Sequence, residues 1–110
     1  MSLIKSSKEY FKTFSNKDLS GLEEIFSKDI RLRDWDIEAR GLEDVLKVNK
    51  NIFENLKNIK VNPLKIYNDG NTVVAELEID INNGQESLLV IDVIEFDSEN
   101  KILEIRAYKS

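Results

Sequence analysis

The sequence has no cysteine and no histidine among its 110 residues. These absences exclude a cysteine nucleophile, a Ser-His-Asp triad and a zinc site built on histidine or cysteine. Neither a GxGxxG motif nor a Walker A loop is present, so the usual signals of a bound dinucleotide or nucleotide are missing. Catalysis would therefore depend on carboxylates, tyrosine, lysine, arginine or backbone groups, and we expect no cofactor and no metal.

Long apolar runs are also missing, and the net charge is −5. No stretch approaches the ~20 apolar residues of a membrane-spanning helix, and the first residues lack the apolar core of a signal peptide. The lysines and arginines are scattered, which argues against binding to nucleic acid or to an anionic membrane surface. We therefore expect a cytoplasmic location, and the length predicts a single domain over residues 1–110.

The apolar stretch at residues 87–96 carries an aspartate near its centre. Strand alternation places Asp92 on a face with four apolar residues, and further apolar residues line the opposite face, which predicts a central strand covered on both sides. An ionised carboxylate on such a face is costly unless it is paired, hydrogen-bonded or neutral. Two interpretations fit: Asp92 belongs to a functional site, or it satisfies a nearby backbone donor or an arginine.

Asp34 is a second carboxylate in phase with apolar residues. Residues 30–35 alternate as a strand, and Asp34 shares the inner face with Ile30 and Leu32. Trp35 falls on the outer face together with two arginines. Asp34 is therefore either a second buried carboxylate or a turn residue that ends the strand, a position that aspartate favours.

The remaining pattern predicts helices first and strands afterwards. Helices are expected at residues 3–16, at a short segment that Asp18 or Ser20 caps, and at residues 42–57, with a loop at residues 36–40. Strands are expected at residues 59–67, 72–81 and 101–109 besides 87–96, and the last places Leu103, Ile105 and Ala107 on one side. This order indicates an α+β fold, with three helices on one face of a curved, mainly antiparallel sheet.

The run Val90-Ile-Asp-Val-Ile-Glu-Phe-Asp97, followed by Lys101-Ile and Arg106-Ala-Tyr108, resembles the bacterial ketosteroid isomerases. The similarity extends over nearly the whole chain and includes the order of the elements. The chain thus resembles a ketosteroid isomerase-like, SnoaL-like member of the nuclear transport factor 2-like superfamily. That resemblance implies the cystatin-like, cone-shaped α+β fold of the superfamily.

The resemblance also implies site residues. Tyr10 falls at the position of an oxyanion-hole tyrosine, Asp34 at the catalytic base and Asp92 at an oxyanion-hole aspartate. Residues expected to contact the substrate are Phe14, Phe26, Asn49, Phe53, Ala75, Leu77 and Ile105.

The sequence departs from the family pattern at several of these positions. Phe26 and Asn49 stand where the family has tyrosines that support the oxyanion tyrosine, and Asn49 is a candidate to hold Tyr10 instead. Lys109 replaces a tryptophan that lines the steroid site, and Trp35 replaces a proline. These departures argue against a steroid-shaped substrate.

The implied reaction is proton transfer next to a carbonyl group of a small apolar ketone. Asp34 would act as the ionised base, and Tyr10 and a protonated Asp92 would donate hydrogen bonds to the enolate oxygen in a mostly apolar pocket. The alternatives are a non-catalytic ligand-binding or dimerisation module and a different enzyme of the same fold. An apolar strip rimmed by charge on the outer sheet face predicts a homodimer, and its centre is formed by Leu89, Ile91 and Val93.

Overall fold

Residues 2–110, which the computed structural model describes, form three helices and six strands. In chain order they are α1 (Leu3–Ser15), α2 (Leu19–Ile25), β1 (Phe26–Arg33), β2 (Glu38–Arg40), α3 (Leu42–Asn55), β3 (Ile59–Asp69), β4 (Thr72–Ile81), β5 (Glu86–Phe96) and β6 (Ile102–Lys109). The predicted α+β class, with helices packed on one face of a curved sheet, is confirmed.

The strands form one sheet in the order β2-β1-β6-β5-β4-β3. Strands β3 to β6 make the predicted antiparallel meander, and β1 joins it by pairing in parallel with β6. This parallel pair brings the end of β1, where Asp34 follows, beside the end of β6. The sheet is open, and β2 and β3 are its edges.

Helices α1 and α2 each begin at a side chain that accepts a hydrogen bond from a backbone N–H group of the first turn. The Ser2 hydroxyl accepts from the Lys5 N–H at 3.2 Å, and the Asp18 carboxylate accepts from the Gly21 N–H at 3.0 Å. Gly41 precedes α3 with a φ of +87°, a conformation that glycine adopts without the strain that a Cβ atom brings. Helices α1 and α3 then pack across the inner face of the sheet.

Alternation along β4 and β5 builds the core as the sequence predicted. Val73, Ala75 and Leu77 are buried on β4, and Val90 and Ile94 are buried on β5. Residues between them face outward, so one face of the sheet is apolar and covered by helices. The other face has no cover from residues 2–110, so the expectation that β5 is covered on both sides is wrong for a single chain: Leu89 is 53% exposed.

Three local predictions are also wrong. Residues 38–40 are not loop but the short strand β2, which pairs with β1 from Arg31 to Arg33. Strand β1 ends at Arg33, so Trp35 is not on the outer face of a strand. A register shift between β5 and β6 buries both Ile102 and Ile105, and it breaks the predicted alternation of Leu103 with Ile105.

No helix in residues 2–110 combines the length and apolar character that a membrane crossing requires.

Candidate active site

A cavity of about 190 Å³ lies between the inner face of the sheet and helices α1 and α3. Most of its walls are apolar, and the polar side chains on it include Tyr10, Asp34, Asn49 and Asp92. No lysine or arginine is among the lining residues in the described part of the chain. The lining comprises Tyr10, Phe11, Phe14, Leu32, Asp34, Trp35, Asn49, Ile52, Leu56, Ile59, Val61, Leu77, Ile79, Ile81, Leu88, Val90, Asp92, Ile105 and Ala107.

Tyr10 projects from α1 into an aromatic cluster at the inner end of the cavity. Its ring centroid lies 5.5 Å from that of Phe11, 6.2 Å from Phe14 and 5.9 Å from Phe26, all in tilted arrangements. Burial, and then the negative charge of Asp92, raise the pKa of the Tyr10 phenol well above its ordinary value. The phenol therefore stays protonated, so that it can donate a hydrogen bond to a ligand in the cavity.

Asp92 sits in the middle of β5, where the neighbouring strands present small side chains. Its cross-strand partners are Ala75 on β4 and Ala107 on β6. Two methyl groups beside the carboxyl group leave the space that larger partners would fill. Burial, and then the negative charge of Asp34, raise the pKa of Asp92 to about 7, so its protonated form is well populated at neutral pH.

Asp34 lies in the turn between β1 and β2 and is half-buried, so the turn interpretation holds and the residue is not a buried strand carboxylate. Its Oδ1 accepts hydrogen bonds from the backbone N–H groups of Asp36 and Ile37 at 2.8 and 2.7 Å, which makes it a turn residue. The same side chain lines the cavity. The two hydrogen bonds of the turn hold Oδ1 and so fix the orientation of the carboxylate. Its other oxygen, Oδ2, remains available to a ligand.

The predicted contact residues divide into two groups. Phe14, Asn49, Leu77 and Ile105 line the cavity. The structure places Phe26, Phe53 and Ala75 in the core outside the lining. The ring of Phe26 packs against Tyr10, and the ring centroids of Phe53 and Phe14 are 5.1 Å apart. The two phenylalanines support the rings of Tyr10 and Phe14 from behind.

Asn49 has a different partner from the one that the family pattern suggested. Its side-chain amide donates to the Val45 carbonyl at 2.8 Å, one turn earlier in α3, and not to Tyr10. The residue is 3% exposed, so this bond satisfies a donor that would otherwise be costly to bury. The Asn49 amide group therefore contributes polarity to the cavity wall while its donor is committed to the helix.

Trp35 is the largest lining residue that the sequence analysis placed elsewhere. Alternation put it on the outer face, but the chain leaves the strand at Arg33 and turns, so the indole reaches the cavity. The signal that could have indicated this is Asp34 itself, because an Asx turn ends strand alternation. The ammonium group of Lys109 lies 5.3 Å from the centroid of the Trp35 ring.

The described residues contain no group of three or more acidic side chains placed to hold a metal ion. The polar groups of the cavity are instead a charged carboxylate, a carboxyl group of raised pKa and a phenol. This set can accept a proton at one point and donate hydrogen bonds at another.

Solved structures of low sequence identity share this fold. A protein assigned as a SnoaL-like polyketide cyclase from Shewanella denitrificans matches with a TM-score of 0.87 at 15% identity, over 98% of this chain and 90% of that one. An epoxide hydrolase of the LEH-like type from Mycobacterium tuberculosis matches with a TM-score of 0.85 at 18% identity, over 98% and 82%. A protein assigned as a ketosteroid isomerase from Kribbella flavida gives 0.83 at 15% identity, over 96% and 76%.

The sequence has no significant match among curated proteins. The three structural relatives differ in their assigned activities, so this comparison establishes the nuclear transport factor 2-like fold and leaves the reaction open. A family model for the SnoaL-like domain matches residues 7–105. The chain therefore belongs to the SnoaL-like domain family.

Proposed function

We propose that the chain catalyses proton transfer next to the carbonyl group of a small apolar ketone. Asp34 is the base, and Tyr10 and protonated Asp92 donate hydrogen bonds to the carbonyl oxygen. The observation that carries this proposal is the electrostatic coupling of three groups in one cavity. Burial, and then the charge of Asp34, raise the pKa of Asp92 to about 7, and burial, and then the charge of Asp92, raise the pKa of Tyr10.

In the proposed reaction, Oδ2 of Asp34 removes a proton from the carbon beside the carbonyl group. The electron pair of the broken C–H bond moves toward the carbonyl oxygen, which becomes an enolate. Tyr10 and protonated Asp92 donate to that oxygen, and Asp34 then returns its proton to the carbon two positions further along. Donors aimed at the developing charge stabilise the transition state more than the neutral ketone.

The electrostatics of the cavity favour neutral donors in this role. No lysine or arginine lines the cavity within residues 2–110, so no cationic side chain is placed to stabilise the enolate. The apolar walls lower the local dielectric constant, which strengthens each hydrogen bond to the enolate oxygen. The two backbone N–H groups on Asp34 Oδ1 hold the base in place, so its reach is restricted to one side of the ligand.

The test is turnover of a β,γ-unsaturated cyclic ketone, 3-cyclohexenone, to its conjugated isomer, followed by ultraviolet absorbance. We expect Asp34→Asn to lower kcat by about 10²–10⁴-fold, because the amide cannot accept the proton. Binding of phenol, whose oxygen mimics the enolate oxygen, should persist in this variant. Asp36→Asn is the matched control, because Asp36 is an exposed carboxylate in the same turn. Equal rates for wild type and Asp34→Asn would refute the proposal.

A second proposal concerns the outer face of the sheet, which we infer to be a homodimer interface. An apolar strip runs across it, in which Val74 pairs with Val93 and Ile91 with Tyr108. Leu89 is 53% exposed and Tyr108 49%. Exposed apolar side chains that adjoin one another and are rimmed by polar residues are characteristic of an interface.

Charged side chains of both signs border the strip. On β1, Arg31 pairs with Glu104 of β6 at 3.7 Å. On the other side, Glu76 of β4 stands opposite Lys65 of β3. An apolar centre with a rim of mixed charge is the pattern of a partner surface, and a second copy of this chain is the occupant that we infer.

A further inference from the structure

Trp35 lies at the boundary between the cavity and solvent. It lines the cavity, yet 47% of its surface is exposed. The other residues near this end are the half-buried Ile81, at the end of β4, and Leu88, near the start of β5. The mouth of the cavity is therefore at the sheet end where β1, β4 and β6 finish.

The position of the indole is fixed by the turn that also holds the proposed base. Asp34 Oδ1 accepts from the backbone N–H groups of Asp36 and Ile37, and the Asp34 N–H donates to the Ile37 carbonyl at 2.9 Å. Lys109, at the end of β6, adds a cation 5.3 Å from the centre of the ring, a contact that stabilises the ring where it is. Two elements thus hold Trp35 at the mouth.

The cavity is small compared with most ligand pockets of proteins. Its volume is about 190 Å³. A cavity of about 150 Å³ holds one benzene ring, and drug-sized ligands occupy about 300–1,000 Å³. The inner end cannot lengthen, because Tyr10 is packed there against Phe11 and Phe26, which are both buried. A longer ligand would have to extend outward past Trp35.

The geometry points to a neutral ketone with a single ring, or a branched chain of equal bulk, as the substrate, with Trp35 as the residue that sets its length. This inference rests on the proposed isomerase-type function. Neutrality follows from the charges, since Asp34 is negative and no lining residue in the described part of the chain is cationic. Trp35 is a specificity residue in this scheme and takes no part in the proton transfer.

The test is a binding series measured by titration calorimetry with phenol, 2-naphthol and a three-ring phenanthrenol. Each carries the same hydroxyl group for Tyr10 and Asp92, and the three ligands differ only in the number of fused aromatic rings. For the wild type we expect affinity to fall by at least about tenfold from phenol to the phenanthrenol, the scale on which an apolar pocket discriminates size. In Trp35→Ala the phenanthrenol should bind at least about tenfold tighter than in the wild type, with phenol little changed.

Two further variants serve as controls. Trp35→Phe keeps an aromatic ring at the mouth and should retain most of the discrimination. Tyr67→Ala removes an aromatic residue of equal exposure, 47%, from the far face of the sheet and should leave the series unchanged.

The outcomes separate the two proposals. If phenol and the phenanthrenol bind the wild type equally well, the size limit is wrong, while the proposed reaction stands. If the wild type discriminates and Trp35→Ala keeps the same discrimination, the role of Trp35 is wrong. If no member of the series binds the wild type, the donor pair of the proposed function fails, and the substrate class fails with it.

Discussion

Asp92 shows how one residue can be destabilising for the fold and useful for a site. An apolar residue at this position would complete the strand face, since Val90 and Ile94 on either side are buried. The aspartate instead places a carboxyl group between two alanines, Ala75 and Ala107, at the floor of a cavity. The cost of burying its charge is the same effect that keeps it protonated, and a protonated carboxyl group is what a neutral donor requires.

This cost makes the stability of the protein depend on pH. Below the ordinary carboxyl pKa of 3.8 Asp92 is protonated in both the folded and the unfolded chain, and it contributes nothing. As the pH rises from about 4 to 7 the unfolded chain loses the proton first, so the free energy of unfolding falls. Above about pH 7 the loss is complete, on the order of 4 kcal/mol.

Asp92→Asn removes this dependence, because the amide does not titrate. We expect the variant to be more stable than the wild type at pH 8 and about equal to it at pH 3.5, as measured by urea unfolding. Asp69→Asn changes an exposed carboxyl group and should follow the wild-type profile. Parallel profiles for Asp92→Asn and wild type would mean that the Asp92 pKa is not raised in the folded chain.

At the scale of elements, the sequence predicted those whose periodicity is long and unbroken. Strand β4 alternates over ten residues and was predicted with its observed bounds, Thr72–Ile81. Helix α3, predicted over residues 42–57, also agrees within two residues, since a helical stripe is a local signal. The strand β2 has only three residues and no alternation of its own, so pairing with β1 alone defines it.

The residues of the site, like the secondary structure, could be predicted only in part. Tyr10, Asp34 and Asp92 line one cavity, and two of them had been singled out by strand phase alone. Trp35 was not predictable by phase, because the turn at Asp34 ends the alternation before it. Phe26, Phe53 and Ala75 lie behind the lining, and periodicity cannot distinguish a core position from a cavity wall when both are buried.

Lys17 connects two elements whose relative position shapes the cavity. Its ammonium group donates to the carbonyl groups of Phe53 at 2.9 Å, of Leu56 and of Lys57 at 3.1 Å. These carbonyls lie at the end of α3, where the helix leaves them without backbone partners and its dipole is negative. The lysine thus ties the turn after α1 to the end of α3, beside the lining residue Leu56.

We expect Lys17→Met to lower the free energy of unfolding by about 1–3 kcal/mol, because it removes charged hydrogen bonds and keeps the length of the side chain. Lys12→Met is the control, since Lys12 is an exposed lysine in the last turn of α1. Chemical denaturation measures both. An equal effect of the two substitutions would show that the contacts of Lys17 with α3 add nothing to stability.

At the scale of the whole molecule, the two faces of one sheet differ in kind. The inner face is covered by α1 and α3 and encloses the cavity, and the outer face carries an apolar strip bordered by charged side chains of both signs. A strand side chain points to one face or the other, so β5 serves both at once. Asp92 belongs to the site, and its neighbours Ile91 and Val93 belong to the proposed interface.

The proposed homodimer makes a direct prediction for a chain of 12.7 kDa. Sedimentation at micromolar concentration should give about twice this mass. Leu89→Glu should shift the protein to the monomer, because it buries a charge in the apolar strip. Leu64→Glu alters a leucine that is more exposed, at 61%, but lies on the edge strand β3 beside a register shift, so it should leave the dimer intact. A clean monomer for the wild type, or a dimer that Leu89→Glu does not weaken, would contradict the interface. In either case the cavity on the other face, and the reaction proposed for it, would stand as features of a single chain.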